Sequence, residues 1–176
     1  MKINGKNFDI LIDRNEISTI VDNTIQTINK LPADCVFIVM ANGANWFSQK
    51  VFEHFSATTF DIEYALLKSY SGNQRDEIEV VKMPDTSLLQ GKNIIILEDI
   101  IDSGVTMRFM IDWCKQIALA NNIYVCPMAI REGVNAPDYN VANQPIVIPS
   151  QKWIVGCGLD YDHYGRNLPD LYYMVD

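Results

Sequence analysis

The stretch that most constrains this chain runs from Asn93 to Met110 and reads N-I-I-I-L-E-D-I-I-D-S-G-V-T-M-R-F-M. It opens on four consecutive apolar residues, Ile94 to Leu97, too short to cross a membrane and suited to a strand buried on both faces. Glu98 and Asp99 follow where that strand should end. Asp102-Ser103-Gly104-Val105-Thr106 is then a turn of mostly small residues, leading into Met107, Met110, Ile111 and Cys114 at helical spacing. Strand, acidic pair, small loop and helix together place a ligand at the carboxyl edge of a parallel sheet. Backbone N–H groups of the loop and of the helix start can hold a phosphate there.

An acidic pair suits a phosphate site only when a sugar or a metal is also present. Glu98 and Asp99 can accept hydrogen bonds from two ribose hydroxyls and help hold Mg²⁺ through water. Asp102, at the mouth of the loop, can take a proton from a heterocycle. A P-loop is excluded because G-x-x-x-x-G-K-[ST] does not occur, and Gly104 stands alone where a dinucleotide fingerprint needs three glycines. An ordinary strand-to-helix turn with solvated acids fits the same spacing, so spacing by itself leaves both readings open.

The block I-I-I-L-E-D-I-I-D-S-G-V-T resembles the phosphoribosyl-pyrophosphate (PRPP) motif of type I phosphoribosyltransferases. L-K-S-Y at Leu67–Tyr70 and K-W-I-V-G-C-G-L-D-Y at Lys152–Tyr161 narrow the resemblance to the hypoxanthine-guanine phosphoribosyltransferases. Three motifs in the same order, between Phe37 and Arg166, cover most of the chain. The resemblance implies an α/β fold with a mainly parallel central sheet, flanked by helices and topped by a small hood built from the chain ends. One phosphoribosyltransferase domain over residues 1–176 follows, since no linker or repeat divides the chain.

Composition bounds the alternatives. A length of 176 residues with 48% hydrophobic content suits one domain with a real core. A net charge of −8 gives no basic footprint for nucleic acid and argues against an RNA-binding regulator on the same fold. The same acidity repels a polyphosphate, which makes a metal and neutral backbone donors more necessary. Cys35, Cys114, Cys126 and Cys157 lack C-x-x-C spacing and read as reduced thiols, not as disulfides or zinc ligands. The N-terminus lacks the apolar core of a signal peptide, so a cytoplasmic protein without membrane association is expected.

Along the chain, Ile17, Ile20, Val21, Thr24, Ile25 and Ile28 mark an amphipathic first helix ending before Pro32. Cys35–Met40 reads as a buried strand, and Trp46, Phe47, Val51, Phe52 and Phe55 as a second helix. Phe60, Ile62 and Tyr64 alternate along a strand towards Tyr70. Residues 77–83 return, most simply antiparallel to it. Ile123–Ile130 is another buried strand, 135–144 a loop, and Pro145–Pro149, Lys152–Val155 and Leu171–Val175 are short strands.

The resemblance also implies a reaction and its residues. A 5-phosphoribosyl group passes from PRPP to N9 of hypoxanthine, and of guanine, giving a nucleoside monophosphate and pyrophosphate with Mg²⁺ as cofactor. A xanthine- or guanine-preferring enzyme and a non-catalytic nucleotide-binding regulator are the alternatives. Asp102 corresponds to the family's proton acceptor, and Ser103, Gly104, Val105 and Thr106 to its 5′-phosphate loop. Glu98 and Asp99 correspond to the carboxylates facing the ribose and a metal, and Asp160 to a ligand of a second Mg²⁺. Ala41, Asn42 and Gly43 correspond to a pyrophosphate loop with an unusual cis peptide, predicted here between Ala41 and Asn42. Ser69 and Tyr70 correspond to a catalytic pair on a lid formed by residues 71–76. Lys152, Trp153 and Ile154 correspond to the base site, with Trp153 stacked on the purine, and Arg166 to a pyrophosphate contact. A core tryptophan and a surface arginine are the ordinary alternatives. A homodimer or homotetramer is expected.

Three departures stand out. Asn42 replaces a lysine in the first loop, and Val105 replaces a frequent lysine in the phosphate loop. The lysine that donates to the purine 6-oxygen has no counterpart, and Arg131 is the nearest candidate, reached by a one-residue shift.

Overall fold

The computed structural model describes residues 1–55, 60–70 and 77–175, with the side chains of Ser69, Tyr70 and Glu77 left out. Two N-terminal strands, β1 (Lys2–Ile3) and β2 (Lys6–Ile12), precede helix α1 (Arg14–Ile28). Asp13 caps α1, its carboxylate accepting from the N–H groups of Asn15 and Glu16. Ile17, Val21, Thr24, Ile25 and Ile28 recur at three- and four-residue intervals and form its buried face. Next come β3 (Cys35–Ala41), α2 (Ala44–His54), β4 (Asp61–Tyr70), β5 (Glu77–Lys82) and the one-turn α3 (Thr86–Leu89). The central unit is β6 (Asn93–Ile101), α4 (Val105–Gln116) and β7 (Asn122–Arg131). A 3₁₀ turn at Ala136–Tyr139, then β8 (Ile146–Ile148), β9 (Ile154–Val155) and β10 (Leu171–Met174), complete the chain.

Six strands form the main sheet in the order β5-β4-β3-β6-β7-β8. All neighbours are parallel except β4 and β5. β3, β6 and β7 carry near-continuous apolar runs because helices and sheet neighbours leave them no wet face, and Ile94, Ile96 and Leu97 are fully buried. Phe37 anchors a ring cluster with Phe52, Phe55 and Phe60 at 5.2–5.5 Å between centroids, which ties α2 to the sheet. After β3 the chain moves outward to β4 and β5, then returns to place β6 on the other side of β3. The carboxyl ends of β3 and β6 therefore flank a topological switch point, the usual place for a ligand on such a sheet.

A second sheet, β1-β2-β10-β9, joins the two ends of the chain into the expected hood. Its strands are antiparallel, with Tyr172 opposite both Ile10 and Val155. Asp170 fastens it to the main body. Its carboxylate accepts from the Arg14 backbone N–H at 2.8 Å, the Arg14 guanidinium and the Tyr172 hydroxyl.

Two sequence expectations need correction, and two elements carried no signal. β6 does not stop before the acidic pair but continues through Glu98 and Asp99 to Ile101, because its neighbour β7 keeps pairing to Ile130. β2 and the short α3 carried no clear sequence signal. The loop over 135–144 contains the 3₁₀ turn, with Pro137 in its first positions.

Candidate active site

The loops after β3 and β6 meet above the switch point. The Ala41–Asn42 peptide bond is cis, as the sequence reading predicted. Gly43 lies directly against Asp99, leaving no room for a side chain. Gly104 adopts φ 81° and faces the Tyr139 hydroxyl so closely that only glycine fits both the conformation and the space. It leads straight into α4, whose first-turn N–H groups have no partners within the helix. The Val105 N–H reaches only the Ser103 hydroxyl, at a long 3.4 Å. A helix start of this kind can accommodate a phosphate through neutral donors and the helix dipole.

A cavity of about 710 Å³ opens over these loops, within the range of small-molecule sites. Ala41, Asn42, Gly43, Glu98, Asp99, Asp102 to Thr106, Asp160 and Arg166 line it, so most of the expected sugar and phosphate residues converge. Sequence reasoning missed Lys68, Leu159 and His163, which also line it. Lys68 and Leu159 stand inside quoted motifs, L-K-S-Y and G-L-D-Y, which was signal enough to find them. His163 has no such signal.

Burial shapes the charges here. Burial, followed by the neighbouring Asp99 charge, pushes the Glu98 carboxyl well above the usual carboxylate range. Burial also raises Asp99, against hydrogen bonds to its carboxylate and the distant pull of Arg166. Asp160 is committed to protein partners, with Arg166 Nη2 at 2.6 Å and the His163 N–H at 2.8 Å. Arg166 Nη1 also donates to the Gly158 carbonyl at 2.7 Å, which orders a half-exposed guanidinium at the cavity wall.

Among the described residues no three acidic, histidine or cysteine side chains come together as a metal cage. Glu98, Asp99 and Asp160 line the same cavity. This donor set still fits Mg²⁺, which keeps several waters and takes one or two carboxylates together with substrate phosphates.

A second cavity of about 330 Å³ adjoins the first, lined by Ile100, Asp102, Arg131, Ser150 to Ile154 and Leu159. Trp153 is 57% exposed, so it is no core tryptophan, and its ring meets Tyr161 edge-on at 6.1 Å. Ile154 belongs to β9, the open edge of the hood sheet. Lys152 turns its ammonium onto the Tyr173 ring, 4.5 Å from the centroid. Arg131 sits at the end of β7 with its Nε 2.7 Å from Asp102 Oδ1. Asp102 and Leu159 line both cavities.

Ser69 and Tyr70 close β4 opposite Ile78 and Glu77. Their side chains and the lid expected over 71–76 lie outside the described residues. Cys114, Cys126 and Cys157 are buried, Cys35 is half-buried, and all four are free. No helix among the described residues is long and apolar enough to cross a membrane.

An α/β sheet with a switch-point cavity, a glycine-led helix start and paired carboxylates makes a site suited to a phosphorylated sugar. Residues 10–162 match the phosphoribosyl transferase domain family, and the chain belongs to that family. A hypoxanthine-guanine phosphoribosyltransferase of Aquifex aeolicus is 26% identical over 180 residues, 99% of each chain. The mouse enzyme of the same name is 34% identical over 108 residues, 61% of this chain and about half, 49%, of the relative. A Bacillus anthracis hypoxanthine-guanine phosphoribosyltransferase superposes with a TM-score of 0.77 at 24% identity, covering 96% of this chain and 100% of that one. A Staphylococcus aureus hypoxanthine phosphoribosyltransferase gives 0.77 at 20% identity, over 94% and 90%.

Proposed function

We propose that this chain transfers the 5-phosphoribosyl group of PRPP to N9 of hypoxanthine, and of guanine, giving IMP or GMP and pyrophosphate. The observation that carries this reading is Asp102, which lines both the larger phosphate-handling cavity and the smaller one holding Trp153 and Arg131. A group that serves sugar and base together belongs at the bond between them.

In this reading the first turn of α4, with the Ser103 and Thr106 hydroxyls, holds the 5′-phosphate. Glu98 and Asp99 accept from the ribose hydroxyls. The backbone of residues 41–43 and the Arg166 guanidinium meet the pyrophosphate. The base lies on the exposed face of Trp153. Arg131 Nη2, which has no acceptor among the described residues, donates to the purine 6-oxygen. Adenine, which offers a donor there, leaves that N–H unpaired and is rejected. As the N9 lone pair forms the bond to C1′, the bond from C1′ to the pyrophosphate oxygen breaks, and Asp102 takes the proton from N7. The transition state resembles an oxocarbenium ion, so positioning and water exclusion do most of the work. Glu98, Asp99 and Asp160 would hold Mg²⁺ together with PRPP, and the metal would supply charge neutralisation for the departing pyrophosphate.

A pyrophosphate-release assay with hypoxanthine, guanine, xanthine and adenine in parallel tests the assignment. Turnover with hypoxanthine and guanine and none with adenine is expected. A preference for xanthine redirects the base assignment, and no release with any base points to a nucleotide-binding regulator.

A further inference from the structure

We propose that Arg131, beyond its Nη2 contact with the base, fixes the Asp102 carboxylate through Nε at the junction of the two cavities, an inference that rests on the phosphoribosyl-transfer reading above. Asp102 stands on the loop after β6 with a side chain 66% exposed, an arrangement that by itself leaves a carboxylate free to rotate. A base that must meet one ring proton needs hydrogen-bond reach in the right direction. Arg131 supplies it. Its side chain is only 14% exposed, and Nη1 donates to the carbonyls of Pro149 at 3.0 Å and Lys152 at 2.8 Å. The guanidinium is thus held by the turn between β8 and β9 before it meets Asp102.

That prior anchoring decides the energetics. An exposed ion pair ordinarily contributes little, because two flexible side chains lose freedom to form it. Here the arginine is already ordered, and only the short Asp102 side chain remains to be fixed. A lysine offers a point charge without the rigid fork needed to reach two carbonyls and a carboxylate at once. The same guanidinium plane also joins Asp102 to the Ser150–Trp153 wall, so the proton acceptor and the base platform share one support.

The test is a double-mutant cycle in kcat with hypoxanthine at saturating substrates. Arg131→Ala is expected to lower kcat about 10- to 100-fold, the scale of a misplaced catalytic group. Its KM for PRPP should stay within about twofold, since the residue touches no part of the sugar-phosphate site. Combined with Asp102→Asn it should cost nothing more in kcat, the lost 6-oxygen contact appearing instead in the KM for hypoxanthine, which leaves the double variant's kcat within about threefold of Asp102→Asn alone. Arg131→Lys carries the same cycle if the alanine variant does not fold, with a loss of about tenfold expected from the broken fork. Losses that multiply, or an Arg131 variant with wild-type kcat, overturn the inference while the transferase reading stands. A wild-type chain that releases no pyrophosphate overturns both.

Discussion

Gly43 sits so close to Asp99 that a Cβ at residue 43 would overlap the Asp99 carboxylate. Gly43 follows β3 at the start of α2 while Asp99 lies in β6, and Asp99 cannot simply swing away, because its Oδ1 accepts from the Ile100 N–H at 2.8 Å. The Gly43 carbonyl is also crowded by Gly158, which closes the other side. Gly43→Ala is therefore expected to raise the KM for PRPP about tenfold and Gly43→Val more, as overpacking forces the loops apart. The exposed neighbour Asn42 makes no side-chain hydrogen bond among the described residues, so Asn42→Ala should change that KM by only about two- to threefold. Equal losses at the two positions, measured by steady-state kinetics, would make the asparagine side chain a ligand.

Magnesium should bind together with PRPP and scarcely without it. Glu98, Asp99 and Asp160 form no three-ligand cage, and burial raises the first two carboxyls, which disfavours their ionised forms. Thermal melting with Mg²⁺ alone should show no shift at about 1 mM, whereas Mg²⁺ with PRPP should raise Tm by several degrees. Excess EDTA should abolish turnover. A strong shift with the metal alone would reveal a preformed site.

Hood attachment should weaken in acid. Hydrogen bonds from Arg14, first among the causes, hold the Asp170 carboxyl below its ordinary value. A depressed carboxyl stabilises the fold above its unfolded pKa of about 3.9 and loses that contribution as pH falls through the folded value. Asp170→Asn should accordingly melt below wild type at pH 7, and the gap should close as pH drops below about 4. Melting curves from pH 7 to pH 3 check this. A gap that stays constant would assign the effect to packing.

The four thiols should be unreactive in the native protein. Burial pushes Cys35 up to about 11 and Cys114, Cys126 and Cys157 up to about 12, so almost no thiolate exists at pH 8. An aromatic disulfide reagent should titrate all four in denaturant and almost none without it. Rapid labelling of a native thiol would contradict this burial.

Local signals made the centre of the fold legible. Ile94–Leu97, Cys35–Met40 and Ile123–Ile130 announce strands through unbroken apolar runs, and the block from Glu98 to Thr106 carries its own loop chemistry. The hood strand β2 did not stand out, because its partner Leu171–Met174 lies about 160 positions later and half its residues face solvent. The Arg131–Asp102 and Arg14–Asp170 pairs are invisible for the same reason, being made only when distant segments meet. Trp153 was assigned to the base by motif, yet only its exposure in the folded chain separates a stacking platform from a core ring.

The most direct test of the central assignment is the stoichiometry of products from PRPP, hypoxanthine and Mg²⁺, separated by chromatography. One nucleoside 5′-monophosphate joined at N9 should appear for each pyrophosphate released, and Asp102→Asn should slow both together by about 10²- to 10⁴-fold. Pyrophosphate without nucleotide would mean that water, not the base, attacks the sugar. PRPP or nucleotide bound with neither product formed would contradict transfer altogether.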